Sequence, residues 1–170
     1  MTVLQQDEAL TASVVVAATP AAVFAVFSDV TRIREWSPET VRTAWIGPAG
    51  THDRFASWNR RNLAIWKTSA RVVTCEPDRA FGFVVEIPGL GGRVTDWTEW
   101  TYRVEPGSEP GTSVLSEDFR MCRRLPFAAR AYEFVFLFVR DRRTDLQANL
   151  QTCVERIKAI AEEAPQGRSS

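Results

Sequence analysis

The stretch RRTDLQANLQTCVERIKAIAEE, Arg142 to Glu163, is a long amphipathic segment around which the rest of the chain is arranged. Its apolar residues Leu146, Leu150, Cys153, Ile157 and Ile160 recur at steps of four, three, four and three, the spacing of one helix face. Arg143, Gln147, Gln151, Arg156 and Glu162 occupy the other face. No Gly or Pro interrupts the pattern before Pro165. A helix of this extent is roughly 33 Å long at ~1.5 Å per residue, about the width of a small domain. It is not stable alone, so its apolar stripe must lie on a partner surface.

That partner reads as a sheet. Upstream of the helix, β-branched and aromatic runs alternate with turn clusters. The runs are Ser13–Ala17, Val41–Ile46, Asp53–Arg60, Ala64–Cys75, Ala80–Ile87, Val94–Val104 and Thr112–Met121. Gly47-Pro48-Ala49-Gly50, Glu76-Pro77-Asp78-Arg79 and 105–111 separate several of them. Between the first two runs, Thr19-Pro20 caps a short helix over Pro20–Phe27, and Ser28-Asp29 opens a second that buries Val30, Ile33 and Trp36. Ser37-Pro38 ends it. Strand, two short helices, six strands and a long helix make an α+β pattern, with the helices on one face of an antiparallel sheet. A curved sheet gripping a long helix encloses a ligand cavity wherever bulky side chains do not fill the space.

The 170 residues fit one domain: a loose lead-in over 1–11, the folded domain over 12–163 and a flexible tail over 164–170. Lys+Arg and Asp+Glu balance at 21 each, so net charge gives no drive toward nucleic acid or an anionic surface. The N-terminus carries Asp7 and Glu8, no basic lead and no continuous apolar run, so neither a signal peptide nor stable membrane insertion is expected; the odd, scattered cysteines make a reduced cytoplasmic setting the expected one. Three scattered cysteines, Cys75, Cys122 and Cys153, lack metal-ligand spacing and read as small reduced core residues. No metal and no cofactor are expected.

Strand parity then sorts the side chains. Phe55, Ser57 and Asn59 share a face, as do Trp66 and Thr68, Phe81 and Phe83, Trp100 and Tyr102, and Val114, Ser116 and Asp118. With Leu146 and Leu150 of the helix, the set Phe55, Ser57, Asn59, Trp66, Thr68, Phe83, Trp100, Tyr102, Val114 and Ser116 reads as the lining of a pocket for a mostly apolar molecule. A few hydrogen-bonding groups would orient that molecule. The same aromatics could equally form a plain core. Asp118, as an inward carboxylate, requires an arginine partner or a place near the mouth.

Several motifs carry a resemblance to a known family. They are Ala18-Thr19-Pro20-Ala21-Ala22-Val23-Phe24, Asp29 through Trp36-Ser37-Pro38-Glu39, and Asp53-Arg54-Phe55 with Trp58-Asn59-Arg60. Trp66, Glu76-Pro77 with Phe81 and Phe83, Trp100-Thr101-Tyr102 with Glu105-Pro106, and Gly111-Thr112-Ser113-Val114 complete them. In this order they resemble the START-like (SRPBCC) superfamily, in its polyketide cyclase/dehydrase-like branch, over residues 12–163. The resemblance implies a helix-grip fold, a seven-stranded antiparallel sheet around the C-terminal helix, with a deep apolar pocket. It does not imply one activity.

The only histidine, His52, sits in a turn beside Asp53, so a Ser-His-Asp or Cys-His constellation is lacking. Cyclase chemistry asks for less: a shaped pocket and one group that moves a proton, for which Tyr102, Asn59 and Asp118 are the candidates. Three readings stay open: a binder of a small hydrophobic molecule (lipid, aromatic polyketide or isoprenoid), a cofactor-free cyclase, aromatase or dehydratase, and an interaction module. The last would use residues 131–139, where eight of nine residues are apolar, as a homodimer surface or pocket gate, against a buried helix as the plainer account. The arginines at 120, 123, 124, 130, 140, 142 and 143 read as a solvated face or a basic rim, and 88–92 as a hairpin loop without the setting of a phosphate site.

Overall fold

The computed structural model describes residues 4–48, 52–88, 94–123 and 141–163. The apolar run 131–139, Arg124, Arg130, Arg140, the glycines of the 88–92 loop and the tail 164–170 lie outside the described residues. The elements are β1 (Ala9–Val16), α1 (Pro20–Phe27), a 3-10 turn (Val30–Arg32), α2 (Ile33–Trp36), β2 (Thr40–Ile46), β3 (Arg54–Arg61), β4 (Ala64–Glu76), β5 (Ala80–Pro88), β6 (Val94–Pro106), β7 (Ser113–Met121) and α3 (Arg142–Glu163). All strands join one antiparallel sheet in the order β1-β7-β6-β5-β4-β3-β2. This is the α+β class that the sequence pattern gives and the helix-grip fold that the resemblance implies.

The local signals act as expected. The Thr19 hydroxyl accepts from the Ala22 amide with Pro20 at the first helical position, and Asp29 accepts from the Thr31 amide. The lead-in differs from expectation. β1 already begins at Ala9, because Leu10 pairs beside Phe119 on the apolar face, and Leu4 is fully buried in the core.

Helix α3 buries Leu146, Leu150, Cys153, Val154, Ile157 and Ala161 against β1, β7, α1 and α2. Its polar side chains also cap the outer edge of β1. Gln147 Nε2 donates to Thr11 O at 2.9 Å, Lys158 Nζ donates to Val15 O at 2.7 Å, and Glu162 Oε1 accepts from Ala17 N at 2.7 Å. An edge strand that would otherwise invite pairing with another chain is thereby covered.

The same helix end reaches the far side of the sheet. Arg61, the last residue of β3, donates from Nη1 to Asp145 Oδ2 at 2.7 Å and to Glu39 Oε1 at 2.8 Å. Asp145 and Gln147 lie two residues apart on α3, yet they hold β3 and β1, which stand five places apart in the strand order. A flat sheet would separate those strands by roughly 24 Å at ~4.8 Å per strand. Side chains from neighbouring helix positions cannot span that gap. The sheet must therefore curl around the helix, and the Arg61–Asp145 pair is the clasp that closes it.

Candidate functional site

The concave face follows from the register. Successive inward rows are Asn59 with Trp66, Ser57 with Thr68, Phe55 with Ala70 and Val85, then Val72, Phe83, Trp100 and Phe119, then Phe81, Tyr102 and Glu117. Phe55 and Phe83 meet edge to face at 5.0 Å, and Trp100 meets Phe119 at 4.9 Å. The inward parity of β3, β4, β5 and β6 matches this arrangement, and Leu146 and Leu150 of α3 are fully buried.

The face of β7 is the reverse of that expected. Val114, Ser116 and Asp118 point outward; Ser113, Leu115, Glu117, Phe119 and Met121 point in. Asp118 accepts from the Thr11 hydroxyl at 2.7 Å and pairs with Arg103, both on the convex side. The alternation of Leu115, Phe119 and Met121 carries the correct parity. The valine at 114 and the glutamate at 117 obscure it.

The residue missed by sequence reasoning is therefore Glu117. It is fully buried, opposite Tyr102 across the β6–β7 ladder and beneath Cys153 of α3. Neither carboxyl oxygen has a hydrogen bond of acceptable geometry. The Tyr102 hydroxyl and the Cys153 thiol stand close enough to favour the anion, yet they are polar neighbours rather than formed bonds. Burial dominates and pushes the Glu117 carboxyl up to about 8, so it is mostly protonated at neutral pH. Burial, then the proximity of Glu117, raises Tyr102 well above the usual phenol range and lifts the Cys153 thiol. Trp36 Nε1 donates to the Tyr102 hydroxyl at 3.4 Å, and Phe27 stacks on the Tyr102 ring at 5.6 Å. A buried acid kept neutral beside a phenol can supply a hydrogen bond or a proton to an enclosed oxygen.

The other polar candidates lie elsewhere. Asn59 accepts at Oδ1 from the Thr40 hydroxyl at 3.0 Å and donates from Nδ2 to Thr68 Oγ1 at 3.3 Å. Its row is four rows from that of Tyr102, roughly 26 Å along the strands at ~3.3 Å per residue. Asn59 and Tyr102 thus belong to different rows of the concave face. The concave face has two polar ends, Thr40-Asn59-Thr68 near the clasp and Tyr102-Glu117-Cys153 under α3, with aromatic rows between them. Trp66, Thr68, Val85 and Trp100 remain only partly buried. Tyr102, Glu117 and Phe119 by contrast are sealed.

Among the described residues, no group of three or more His, Cys, Asp or Glu could hold a metal ion, and no helix is long and apolar enough to cross a membrane. His52 stacks on Trp45 at 4.7 Å in the turn region, away from both polar ends.

A family model described as polyketide cyclase / dehydrase and lipid transport matches residues 8–162. Comparison with curated proteins gives no match. Among solved structures, a polyketide cyclase-like protein of Corynebacterium glutamicum shares 25% identity, with 98% of this chain and 99% of that chain covered at a TM-score of 0.57. A START superfamily protein from Mycobacterium smegmatis aligns at a TM-score of 0.64 and 14% identity, covering 91% of this chain and 97% of that one. StfQ, a di-domain ARO/CYC protein of the steffimycin biosynthetic pathway, aligns at a TM-score of 0.59 and 14% identity, covering 90% of this chain and 44% of the other.

Proposed function

The chain belongs to the polyketide cyclase / dehydrase and lipid transport family, and we propose that it binds a small hydrophobic molecule between its curled sheet and α3. The observation that carries this reading is the clasped, aromatic concave face on which Trp66, Thr68, Val85 and Trp100 keep accessible surface. Apolar walls supply affinity by removing ligand surface from water, and the Thr40-Asn59-Thr68 chain offers hydrogen bonds to one polar end of the ligand. Native mass spectrometry and thermal-shift measurements with long-chain fatty acids, aromatic polyketides and isoprenoids test this. A one-to-one complex and a raised Tm with one class support the reading; no complex with any class overturns it.

A second reading, a cofactor-free cyclase, aromatase or dehydratase, is favoured by the Glu117 carboxyl held protonated beside Tyr102. In that scheme the pocket folds a reactive chain and Glu117 donates a proton to a carbonyl or leaving hydroxyl oxygen. The substrate would have to reach past Trp100 and Phe83 to the sealed row. Turnover of a polyketide-like substrate that persists in Glu117→Gln and Tyr102→Phe removes these assignments.

A further inference from the structure

The convex face divides into two regions of different electrostatics. From the start of β3 across to β7, Arg54 and Arg71 share Glu86, Arg71 also reaches Asp96, Arg103 pairs with Asp118, and Arg120 pairs with Glu99 and Asp7. At the corner formed by β2 and the β3–β4 hairpin, the pattern stops. Arg42, Arg60 and Lys67 share the convex face, and none has a carboxylate partner among the described residues. Arg42 and Lys67 instead flank Trp58, each with its cationic end 5.0 Å from a ring centroid.

Beside these cations the hairpin tip is apolar and exposed. Asn62 adopts a left-handed backbone at φ 49°, which turns the chain within two residues between Arg61 and Ala64. The turn leaves Leu63 79% and Ile65 72% exposed, the two most exposed large apolar side chains among the described residues. Val41 on neighbouring β2 adds a third at 51%. Uncompensated cations around projecting aliphatic groups and a tryptophan match an anionic surface with an apolar interior beneath it. A nucleic acid would satisfy the charges but leave Leu63 and Ile65 in water.

We propose that the β3–β4 hairpin tip docks this protein peripherally on anionic lipid bilayers, with Leu63 and Ile65 entering the headgroup region and Arg42, Arg60 and Lys67 meeting the lipid phosphates. This surface lies opposite the concave face, so the proposal stands independently of what the pocket holds. Arg61 at the same tip carries the clasp to Asp145, which places the docked hairpin beside the closure of the grip.

Sedimentation of the full chain with vesicles of phosphatidylcholine alone, and of phosphatidylcholine mixed with phosphatidylglycerol, tests the proposal. Binding is expected to the mixed vesicles only and to fall as salt is raised. Leu63→Ser with Ile65→Ser abolishes binding; Arg42→Gln, Arg60→Gln and Lys67→Gln together weaken it roughly a hundredfold. The changed side chains are exposed, and an unchanged Tm for each variant shows that folding is intact. Equal sedimentation with both vesicle types, none with either, or retention by the Leu63→Ser, Ile65→Ser variant overturns the proposal. Capture on heparin that is stronger than on mixed vesicles and insensitive to Leu63 and Ile65 also overturns it, in favour of a polyanion site.

Discussion

Tyr102 and Glu117 stand opposite each other in the β6–β7 register, and both side chains are sealed beneath α3. A carboxyl in that position stabilises the fold only in its neutral form. Its pKa is about 8 in the folded protein against 4.5 in the unfolded chain. Between those values the native state holds a proton that the unfolded state has released, so this contribution is fully present below about pH 4.5, declines as pH rises, and is gone above about 8. The slope is about 1.4 kcal/mol per pH unit at most. Glu117→Gln keeps the shape without the ionisation. Chemical denaturation across pH 5 to 9 is expected to show wild-type stability falling relative to the variant as pH rises; parallel curves would remove the assignment.

Asp118, one residue away, is expected to behave differently. It faces outward, partly in solvent, with Arg103 and Thr11. Asp118→Asn should change stability by no more than about 1 kcal/mol, the range of exposed ion pairs. It should also leave ligand affinity unchanged. A tenfold loss of affinity in equilibrium titration would return Asp118 to the pocket.

The Arg61–Asp145 clasp joins the ends of the curl. Asp145 also pairs with Arg142, and Asn149 Nδ2 donates to Glu39, so the junction is a network rather than a lone pair. Asp145→Ala is expected to cost about 1–3 kcal/mol, because Arg61 loses its main partner in a partly buried setting. Hydrogen exchange should speed up in the first turns of α3 and at the β3–β4 end. The β1 side, held by Lys158 and Glu162, should stay protected. Uniform acceleration across the sheet would contradict a local clasp.

Phe83 packs edge to face on Phe55 at the middle of the concave face. Phe83→Ala is expected to destabilise the fold by about 3–5 kcal/mol, as for other buried aromatics. A bound hydrophobic ligand should restore part of that loss by filling the space. Thermal melts with and without ligand measure both, and a loss below about 1 kcal/mol would mean that the side chain does not close the core.

Much of this was legible in the sequence for one reason: strong periodicity over a long segment. The stripe from Leu146 to Ile160 specifies α3 from Arg142 to Glu163, and the Thr19-Pro20 signal sets the start of α1. The alternating faces of β3 to β6 follow from long runs of aromatics at every second position. On β7 the pattern misleads, because the apolar Val114 is exposed while a charged residue type occupies the inward position 117. β1 starts earlier than expected because Ala9-Leu10-Thr11-Ala12 lacks a β-branched run and is ordered by pairing with β7. The clasp and the buried acid are products of tertiary geometry. Nothing local to Arg61, Asp145 or Glu117 announces them.

A hydrophobic molecule in the clasped concave face would touch indole rings there. The indole resonances of the tryptophans report on it directly, because Trp66 and Trp100 line that face while Trp58 lies on the convex side. A two-dimensional NMR titration with the ligand class that raises Tm is predicted to shift the Trp66 and Trp100 indole signals and leave Trp58 in place. Shifts at Trp58 with Trp66 and Trp100 unmoved would contradict it.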